Sequence, residues 1–279
     1  MKNKSARVFI FILIIGLLAG STGCKKTETF VQKTWNRTSY GITKFVINDI
    51  SADLNIVSSL DGQIHIMYSE SEYTYYDISI DVNGVLSFVR NNSEKTPKDL
   101  EQAGSKVSTT IALPMDFAGD VSVTLVSSNL IVDTVNLSGN LSAETVTGNI
   151  AISGSKIGAN AKLSSTSGSI SVMGTELTSG ELTLNNVSAP IELEDCNIGQ
   201  NITADTVSSN MTLNKVRANN YRLTSTSGNI SLMAYDHPSG YTITTNTTTG
   251  IVSAPDGLEG SGEIFAKTTS GNITIALTA

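Results

Sequence analysis

The sequence Thr147-Gly148-Asn149-Ile150 returns with small variations throughout the second half of the chain. Each copy is a short run of small polar residues closed by an apolar one. The other copies are Ser127-Ser128-Asn129-Leu130, Ser167-Gly168-Ser169-Ile170, Ser188-Ala189-Pro190-Ile191, Ser208-Ser209-Asn210-Met211, Ser227-Gly228-Asn229-Ile230, Thr248-Thr249-Gly250-Ile251 and Ser270-Gly271-Asn272-Ile273. Successive closing residues lie 19 to 22 positions apart. A period near twenty residues is typical of a solenoid.

Each copy is expected to form a corner between two strands. Gly and Asn tolerate positive φ, and Ser, Thr and Asn side chains hydrogen-bond to nearby backbone. Apolar residues alternate after the corner, as in Ile150 and Ile152, and a second alternating run precedes it, as in Leu141 and Ala143. Alternation with a period of two predicts β-strands.

A third side of each turn is marked by a single apolar residue, such as Leu137, Ile157 or Ile198. The sequence therefore predicts an all-β fold, a right-handed parallel β-helix (β-solenoid) with coils of about 20 residues. The handedness follows from the strong bias of parallel crossover connections.

The first 23 residues have the features of a secretory signal peptide. Lys2, Lys4 and Arg7 precede an apolar run, and small residues follow it. The apolar part is short for a membrane span. We expect residues 1–23 to be removed from an exported protein.

Cys24 directly follows the small residues of this segment, which resembles a bacterial lipobox although Ser21 replaces the usual Leu. In a lipobox the Cys is acylated and becomes the mature N-terminus. We predict lipidation at Cys24 and attachment to a membrane of the bacterial envelope, on the periplasmic or the surface side. The alternative is an ordinary signal peptide with an incidental Cys.

The composition argues against nucleic acid as a partner. Charged residues make up 15% of the chain, and loss of the three cations before residue 8 changes the formal net charge from −7 to −10. An acidic chain without a basic stripe lacks the electrostatic footprint of a nucleic-acid-binding protein.

Beyond the signal peptide, the chain divides into three segments by pattern. Residues 24–40 contain the lipidated Cys and a polar linker, with Trp35 as a candidate cover for the first coil. Residues 41–126 form irregular N-terminal coils, or alternatively a separate small sheet, with a projecting loop at 91–106 that lacks a strand pattern. Residues 127–279 form the regular repeats.

The run Thr110-Ile111-Ala112-Leu113-Pro114, followed by the repeated Ser-Gly-Asn-Ile phrases, resembles the bacterial DUF4097 β-strand-repeat family. Members of this family carry the name "putative adhesin", and it is related to the head-GIN domain lipoproteins of Bacteroidetes. The resemblance covers roughly residues 41–279. It implies a β-repeat fold and supplies no catalytic residues.

The densest acidic patch in the repeats consists of Glu192, Glu194 and Asp195, and alternation with Ile191 and Leu193 places both Glu side chains outward. The patch is a weak candidate for cation binding and otherwise an ordinary solvated face, because neighbouring coils carry no matching carboxylates. His65 and His237 are too distant in coil order to pair. The sequence predicts no cofactor and no metal site, and Cys196 is expected to be a buried or corner thiol.

Four of the eight tyrosines, Tyr68, Tyr73, Tyr75 and Tyr76, lie within nine residues. Tyrosine rings can form a platform for sugars or a protein partner. This group is our candidate binding surface, and strand packing beneath the 91–106 loop is the structural alternative.

The C-terminal alternation of Ile273, Ile275 and Leu277 runs almost to the last residue. An uncovered last coil would present unpaired strand groups, so edge-to-edge self-association is expected there unless a partner covers it.

The leading functional interpretation is a noncatalytic cell-envelope lipoprotein that presents its β-solenoid surface for adhesion or for binding a glycan or an envelope protein. One alternative is a carbohydrate-active enzyme, a polysaccharide lyase or hydrolase, which would need outward acidic or basic residues of adjacent coils to converge. A regulatory component of the envelope is the other alternative.

Overall fold

A computed structural model describes residues 28–93, 107–235, 240–256 and 260–278. The predicted signal peptide, Cys24 and His237 lie outside the described residues, as does the predicted projecting loop from residue 94 to residue 106.

The described residues form 27 β-strands. The first seven are β1 Val31–Thr38, β2 Lys44–Asp49, β3 Asp53–Ser59, β4 Gln63–Glu70, β5 Thr74–Ile80, β6 Val85–Asn92 and β7 Ser108–Pro114. The next twelve are β8 Asp120–Leu125, β9 Leu130–Asp133, β10 Asn136–Leu137, β11 Leu141–Thr145, β12 Ile150–Ser153, β13 Lys156–Ile157, β14 Ala161–Ser165, β15 Ile170–Met173, β16 Glu176–Leu177, β17 Leu182–Asn186, β18 Ile191–Glu194 and β19 Asn197–Ile198. The last eight are β20 Asn201–Thr206, β21 Met211–Val216, β22 Asn220–Ser225, β23 Ile230–Tyr235, β24 Tyr241–Thr247, β25 Val252–Ser253, β26 Gly262–Thr268 and β27 Ile273–Thr278.

The strands assemble into three sheets that share one core. The 12-stranded sheet has the order β1-β4-β7-β3-β9-β12-β15-β18-β21-β23-β27-β25. The 11-stranded sheet has the order β24-β26-β22-β20-β17-β14-β11-β8-β2-β6-β5, and the four-stranded sheet has the order β10-β13-β16-β19. No helix occurs in the described part of the chain, so none there is long and apolar enough to cross a membrane.

Corresponding strands of successive repeats pair in parallel. Ile150 pairs with Leu130 on one side and with Ile170 on the other. In the 11-stranded sheet Leu141 pairs in the same way with Val121 and Ala161. We call each turn of this stack a rung.

The predicted apolar columns fill the interior, which confirms the assignment of inward faces. Ile150, Ile170, Met211 and Ile230 are all buried, as are the apolar residues of the second column from Leu141 to Leu223. The third side that the sequence indicated is also buried, and it forms the four-stranded sheet. Full burial of an aliphatic side chain contributes about 1.5–3 kcal/mol.

The corners are fixed by side chains that bond to backbone within and between rungs. Thr145 Oγ1 accepts the Gly148 N–H at 3.1 Å, and Ser165 Oγ accepts the Gly168 N–H at 2.9 Å. Asn129 Oδ1 accepts the N–H of Asn149 in the next rung at 3.0 Å. These bonds satisfy backbone N–H groups that have no partner strand where the chain turns.

Glycine at a corner permits close stacking of rungs. A Cβ on Gly148 would lie 1.6 Å from the Ser128 carbonyl oxygen, and a Cβ on Gly228 would lie 1.6 Å from that of Ser209. The recurring Gly of the sequence phrase is therefore a steric requirement of the stack as well as a turn residue.

A second column of corners was not predicted from the sequence. It follows the strands of the 12-stranded sheet, and each of its residues has φ between 50° and 54°. Its members are Thr134, Gly154, Gly174, Asp195 and Lys215. Only two of them are glycines, so composition alone does not reveal the column.

The N-terminal end differs from the prediction in one respect. Residues 31–38, expected to be part of a linker, form β1, which pairs antiparallel with β4. Because most of its side chains are polar, the sequence of β1 does not show the apolar alternation of a strand. Trp35 is the residue of β1 that packs against the core. The rung of β2 and β3 is inserted between the strands β6 and β7 and the strands β8 and β9, so it stacks directly on the repeats.

The C-terminal end also departs from chain order. Strand β27, with Ile273 and Ile275, lies between β23 and β25, so the premise that it forms the exposed edge is wrong. The end rung consists instead of β24 and β25. Val252 takes the register of Ile273, and Ile251, which the repeat alignment placed inward, is 74% exposed.

Candidate binding surface

A shallow groove runs along the outer face of the 11-stranded sheet at its corner with the next strands. Its polar wall is a column of outward side chains from four successive rungs, in register from strand to strand: Glu144, Ser164, Asn185 and Asp205. Its volume is about 260 Å³. Because the strands stack at about 4.8 Å, the column is about 14 Å long.

The groove is also lined by the residues that follow its corner residues, which are Thr166, Val187 and Val207. They belong to a column at one corner position that also contains Val126 and Val146. The four valines are 45% or 46% exposed, and Thr166 interrupts their row between Val146 and Val187. Together with the polar column, this column suits an extended ligand with one polar and one apolar edge.

The floor of the groove includes the corner residues Thr145, Ser165, Asn186 and Thr206. The first three bond to backbone, as in the 2.6 Å bond that Asn186 Nδ2 donates to the Gly168 carbonyl. The buried hydroxyl of Thr206 has no hydrogen-bond partner among the described residues. The ladder of corner bonds is thus incomplete beneath the groove, next to Asp205.

A second surface feature lies on the same sheet. The Arg222 guanidinium stacks over the Phe265 ring at 4.9 Å, and both line a depression of about 250 Å³ together with Glu263. A cation over an aromatic face is stabilised by the ring quadrupole. This face therefore offers carboxylate, cationic and aromatic contacts within a few rungs.

The carboxylates of the groove are too far apart for glycoside hydrolysis. Glu144 and Asp205 are separated by three strand spacings, about 14 Å, whereas hydrolytic carboxylate pairs lie roughly 5–9.5 Å apart. The geometry suits binding better than bond cleavage.

The four predicted tyrosines do not form an exposed platform. Tyr68, Tyr73 and Tyr76 are buried, and only Tyr75 is exposed, at 42%. The Tyr76 ring stacks on Phe88 at 4.4 Å, and Tyr68 packs edge-on against both. The cluster thus belongs mainly to the N-terminal core, and any binding there would involve Tyr75 alone.

The buried part of this cluster holds a charged network that the sequence did not indicate. Tyr76 donates a 2.6 Å hydrogen bond to Asp49 Oδ2, and Arg90 Nη1 lies 3.4 Å from Asp49 Oδ1. The Arg90 and Asp49 side chains are 7% and 2% exposed. Burial and the neighbouring Asp49 carboxylate raise the pKa of Tyr76 well above its ordinary value.

The predicted acidic patch is outward and exposed at Glu192, Glu194 and Asp195. Glu192 pairs in register with Ser171 and Thr212, so adjacent rungs add no carboxylate to it. Within the described ranges, no three His, Cys, Asp or Glu side chains are grouped so as to hold a metal ion. Cation binding at this patch stays a prediction.

Three further titratable residues have defined surroundings. His65 bridges strands, with Nδ1 2.9 Å from Asn36 Oδ1 and Nε2 2.9 Å from Asp61. Hydrogen bonds from Ser59 and His65 lower the pKa of Asp61 to about 2. Cys196 is a buried free thiol whose pKa is raised by desolvation.

Comparison with known proteins identifies the architecture. A family model described as Toastrack DUF4097 matches residues 42–276. A crystal structure of a "putative adhesin" from Parabacteroides merdae is 14% identical, with a TM-score of 0.52, and the alignment covers 89% of this chain and 96% of that one.

A "putative lipid binding protein" from Parabacteroides distasonis is 12% identical, with a TM-score of 0.50, and the alignment covers 89% of this chain and 97% of that one. No curated protein sequence matches the chain.

Proposed function

The chain belongs to the Toastrack DUF4097 family, and on that premise we propose that it is a noncatalytic, lipid-anchored protein of the cell envelope that binds a glycan or an envelope protein on its outer face. The observation that carries the proposal is the groove lined by Glu144, Asn185 and Asp205 and by the half-exposed Val187. The adhesin name of the Parabacteroides merdae protein is consistent with it.

The groove favours an extended ligand that lies along the stack. Each rung contributes one outward polar group at the same position, so hydrogen-bonding groups recur about every 4.8 Å. A linear glycan or an extended peptide can contact several such positions, and the half-exposed valines cover its less polar edge. The rigid corner bonds keep these positions fixed before binding, which lowers the entropic cost of association.

A binding screen tests this proposal. The mature protein is presented to panels of glycans and isolated envelope proteins, and each hit is measured again with the double variant Glu144→Gln/Asp205→Asn. We expect at least about a tenfold loss of affinity, because charged hydrogen bonds contribute about 1.5–3 kcal/mol each. The matched control Glu192→Gln removes an exposed carboxylate from the opposite sheet and should bind normally.

Three outcomes of the screen would contradict the proposal. Equal losses in the groove variant and in Glu192→Gln would mean that net charge, and not the groove, governs binding. Loss with Tyr75→Ala alone would move the site to the N-terminal end. Release of new sugar ends from a polysaccharide panel would favour the enzymatic alternative.

The anchor is proposed from the lipobox-like sequence before Cys24. We expect the protein to incorporate labelled palmitate and to partition into detergent phase, and Cys24→Ser should abolish both. Cys196→Ser changes the other cysteine and is the control, since that thiol is buried in the core. Palmitate incorporation by Cys24→Ser would contradict the proposed anchor.

We further propose that the rungs are right-handed coils of about 20 residues, preceded by a signal peptide at 1–23 and by irregular coils at 41–126. The 20-residue offset between Ile150 and Ile170 supports the coil length, and the bias of parallel crossovers supports the hand. A crystal structure with left-handed crossovers would contradict it.

A further inference from the structure

The end rung of β24 and β25 is unusual in its chemistry. From Tyr241 to Pro255 the chain carries no Asp, Glu, Lys, Arg or His, and six of these fifteen residues are Thr. Within the described residues β24 is the last strand of the 11-stranded sheet and β25 the last of the 12-stranded sheet. Natural proteins usually protect such edges with charges, proline or covering segments, and neither β24 nor β25 contains a charged residue or a proline.

Apolar side chains of the core are also uncovered at this end. Val252 occupies the inward register of Ile273 and is 41% exposed, whereas Ile273 is fully buried. Ile251 beside it is 74% exposed, and Ile243 of β24 is only partly buried. The end face therefore consists of two strand edges with the partly exposed side chains of Val252 and Ile243 between them, and Ile251 is exposed on the outer surface beside β25.

We propose that this end face binds the same face of a second copy of the chain. A two-fold axis perpendicular to the stack reverses strand direction, so β24 of one copy would pair antiparallel with β24 of the other. The two β25 strands would meet in the same way. The interface is isologous and closes after two subunits.

A second copy fits this face better than a single foreign strand. One added strand could pair with β24 or with β25, but it would leave the other edge and Val252 in water. An identical end face presents two edges at the same separation, with its own Val252 between them, so it covers both edges and Val252 together. Strands β24 and β25 carry no charged residue, so their edges offer an acidic or basic partner no opposite charge.

The described part of the chain begins at the opposite end of the stack. Glu28 is buried there, and its Oε1 accepts a 3.0 Å hydrogen bond from Thr74 of β5, the far strand of the 11-stranded sheet. Ten strand spacings, about 48 Å, separate β5 from β24. The proposed lipid anchor, Cys24, lies four residues before Glu28. A protein held to the membrane through this anchor would therefore have its end rung pointing away from the membrane.

Two copies joined through their end rungs would therefore carry their anchors at opposite ends, about 100 Å apart. Such a dimer would connect two membranes more readily than two positions on one membrane. This geometry gives the proposed envelope role a specific form, which is homophilic contact between surfaces.

A charge-swap experiment tests the dimer. Thr244 is an exposed residue in the middle of β24. In Thr244→Lys, or in Thr244→Glu, two like charges would face each other near the two-fold axis, and we expect the dimer dissociation constant to rise at least about tenfold. An equimolar mixture of the two variants should associate again, because unlike charges then meet.

Sedimentation equilibrium of the full mature chain in detergent measures the association. Thr212→Lys and Thr212→Glu place the same charges on an exposed position of β21 in the interior of the 12-stranded sheet and should dimerise like the parent protein. A parent protein that remains monomeric at about 1 mM, the weak end of binding affinities, would overturn the proposal. Equal effects at both positions, or a mixture that stays monomeric, would overturn it as well.

Liposomes carrying the lipidated protein test contact between membranes. Liposomes with Thr244→Lys alone or with Thr244→Glu alone should stay dispersed, and mixing the two populations should cluster them. Mixed liposomes that stay dispersed, retain the protein and still bind a hit from the glycan and envelope-protein screen would refute homophilic contact and leave the proposed function standing. Protein released from the liposomes would instead refute the anchor.

Discussion

The two ends of the stack differ in how the edge strands of the two large sheets are formed. At the N-terminal end, antiparallel strands β1 and β5 terminate the two large sheets, Lys33 and Arg37 lie on β1, and Asp77 lies on β5. Lys33 also forms an ion pair with Glu70 of β4. The C-terminal end continues the parallel rungs to an edge without charge. The comparison indicates that one end of the repeat is terminated while the other is left competent to associate.

The two ends share one feature of their strand order. At each of them the rung nearest the chain terminus is inserted inside the stack: β2 and β3 lie within the N-terminal strands, and β26 with β27 lies inside β24 and β25. Strands β2, β3, β26 and β27 therefore have partners on both sides, whereas β1 ends the 12-stranded sheet. Since unpaired terminal strands fray most readily, we infer that this order protects the stack from unravelling.

The largest effect should come from the buried ion pair of the N-terminal end. Arg90→Met leaves the Asp49 carboxylate buried without its cation, and breaking such a pair costs about 3–5 kcal/mol. Because stacked repeats can unfold locally, amide hydrogen exchange is the suitable measurement. We expect protection to fall in β2, β5 and β6 and to be unchanged in β24.

Arg222→Met is the matched control for this prediction. Arg222 is exposed, and its guanidinium lies over the Phe265 ring, so its removal should cost less than about 1 kcal/mol. Similar losses for the two variants, or a loss in Arg90→Met that spreads evenly over the stack, would mean that the ends are not independent units.

The next effect distinguishes the interior of the stack from its open end. Val172→Ala removes two buried carbons of β15 and should lower the free energy of unfolding by about 2 kcal/mol. Val252→Ala, at a position that is 41% exposed, should cost below about 0.5 kcal/mol when measured in the monomeric Thr244→Lys background. Chemical denaturation measures both. Equal costs would show that the end rung is covered within the monomer.

The sequence predicted the repeat correctly because inward residues recur on the same face of every strand. The strands of the repeats, the buried columns from Ile150 to Ile230 and the third side with Leu137 follow from alternation and period alone. The register of the end rung did not follow, because Ile251 and Val252 are both apolar and a shift of one residue exchanges their faces. Only pairing with Ile273 decides between them.

The remaining errors concern interactions that a linear pattern does not encode. Any rung of suitable shape can stack on any other, so the inserted order of β2 and β26 leaves no trace in the period. The groove was missed because its carboxylates come from different rungs, Glu144 and Asp205, whereas the acidic patch at Glu192 is contiguous in sequence. Tyr76 was considered for a binding platform because its partner Asp49 lies 27 residues away.

The next largest effect should be that of alkaline pH on the buried network of Tyr76, Asp49 and Arg90. The raised pKa of Tyr76 means that the folded state keeps a proton that the unfolded state releases above pH 10. The stabilisation is thus complete below pH 10 and declines as the pH rises further. Tyr76→Phe should lose about 1.5 kcal/mol at neutral pH, because Asp49 loses a hydrogen bond, and its decline above pH 10 should be shallower.

Hydrogen exchange of β2 at several pH values measures this effect. Tyr75→Phe changes an exposed ring on β5, the strand that carries Tyr76, and should keep the parent profile. An unchanged profile in Tyr76→Phe would show that other groups control the alkaline loss.

The smallest effect should be a loss of stability at acid pH near the contact between β1 and β4. The pKa of Asp61 is lowered from 3.8 to about 2, so the stabilisation that its carboxylate provides is complete above pH 4 and is lost as the pH falls towards 2. Asp61 Oδ1 accepts the Gln63 N–H at 3.1 Å, and the amide resonance of Gln63 in NMR spectra reports its titration.

In Asp61→Asn the Gln63 resonance should no longer titrate in this range, and Asp77→Asn, an exposed carboxylate on β5, should leave the titration intact. The residues from Tyr241 to Pro255 contain no carboxylate, so acid should loosen the N-terminal edge before the C-terminal one. Earlier loss of amide protection in β24 than in β1 as the pH falls below 4 would contradict the distinction between a charged, terminated end and an uncharged, open one.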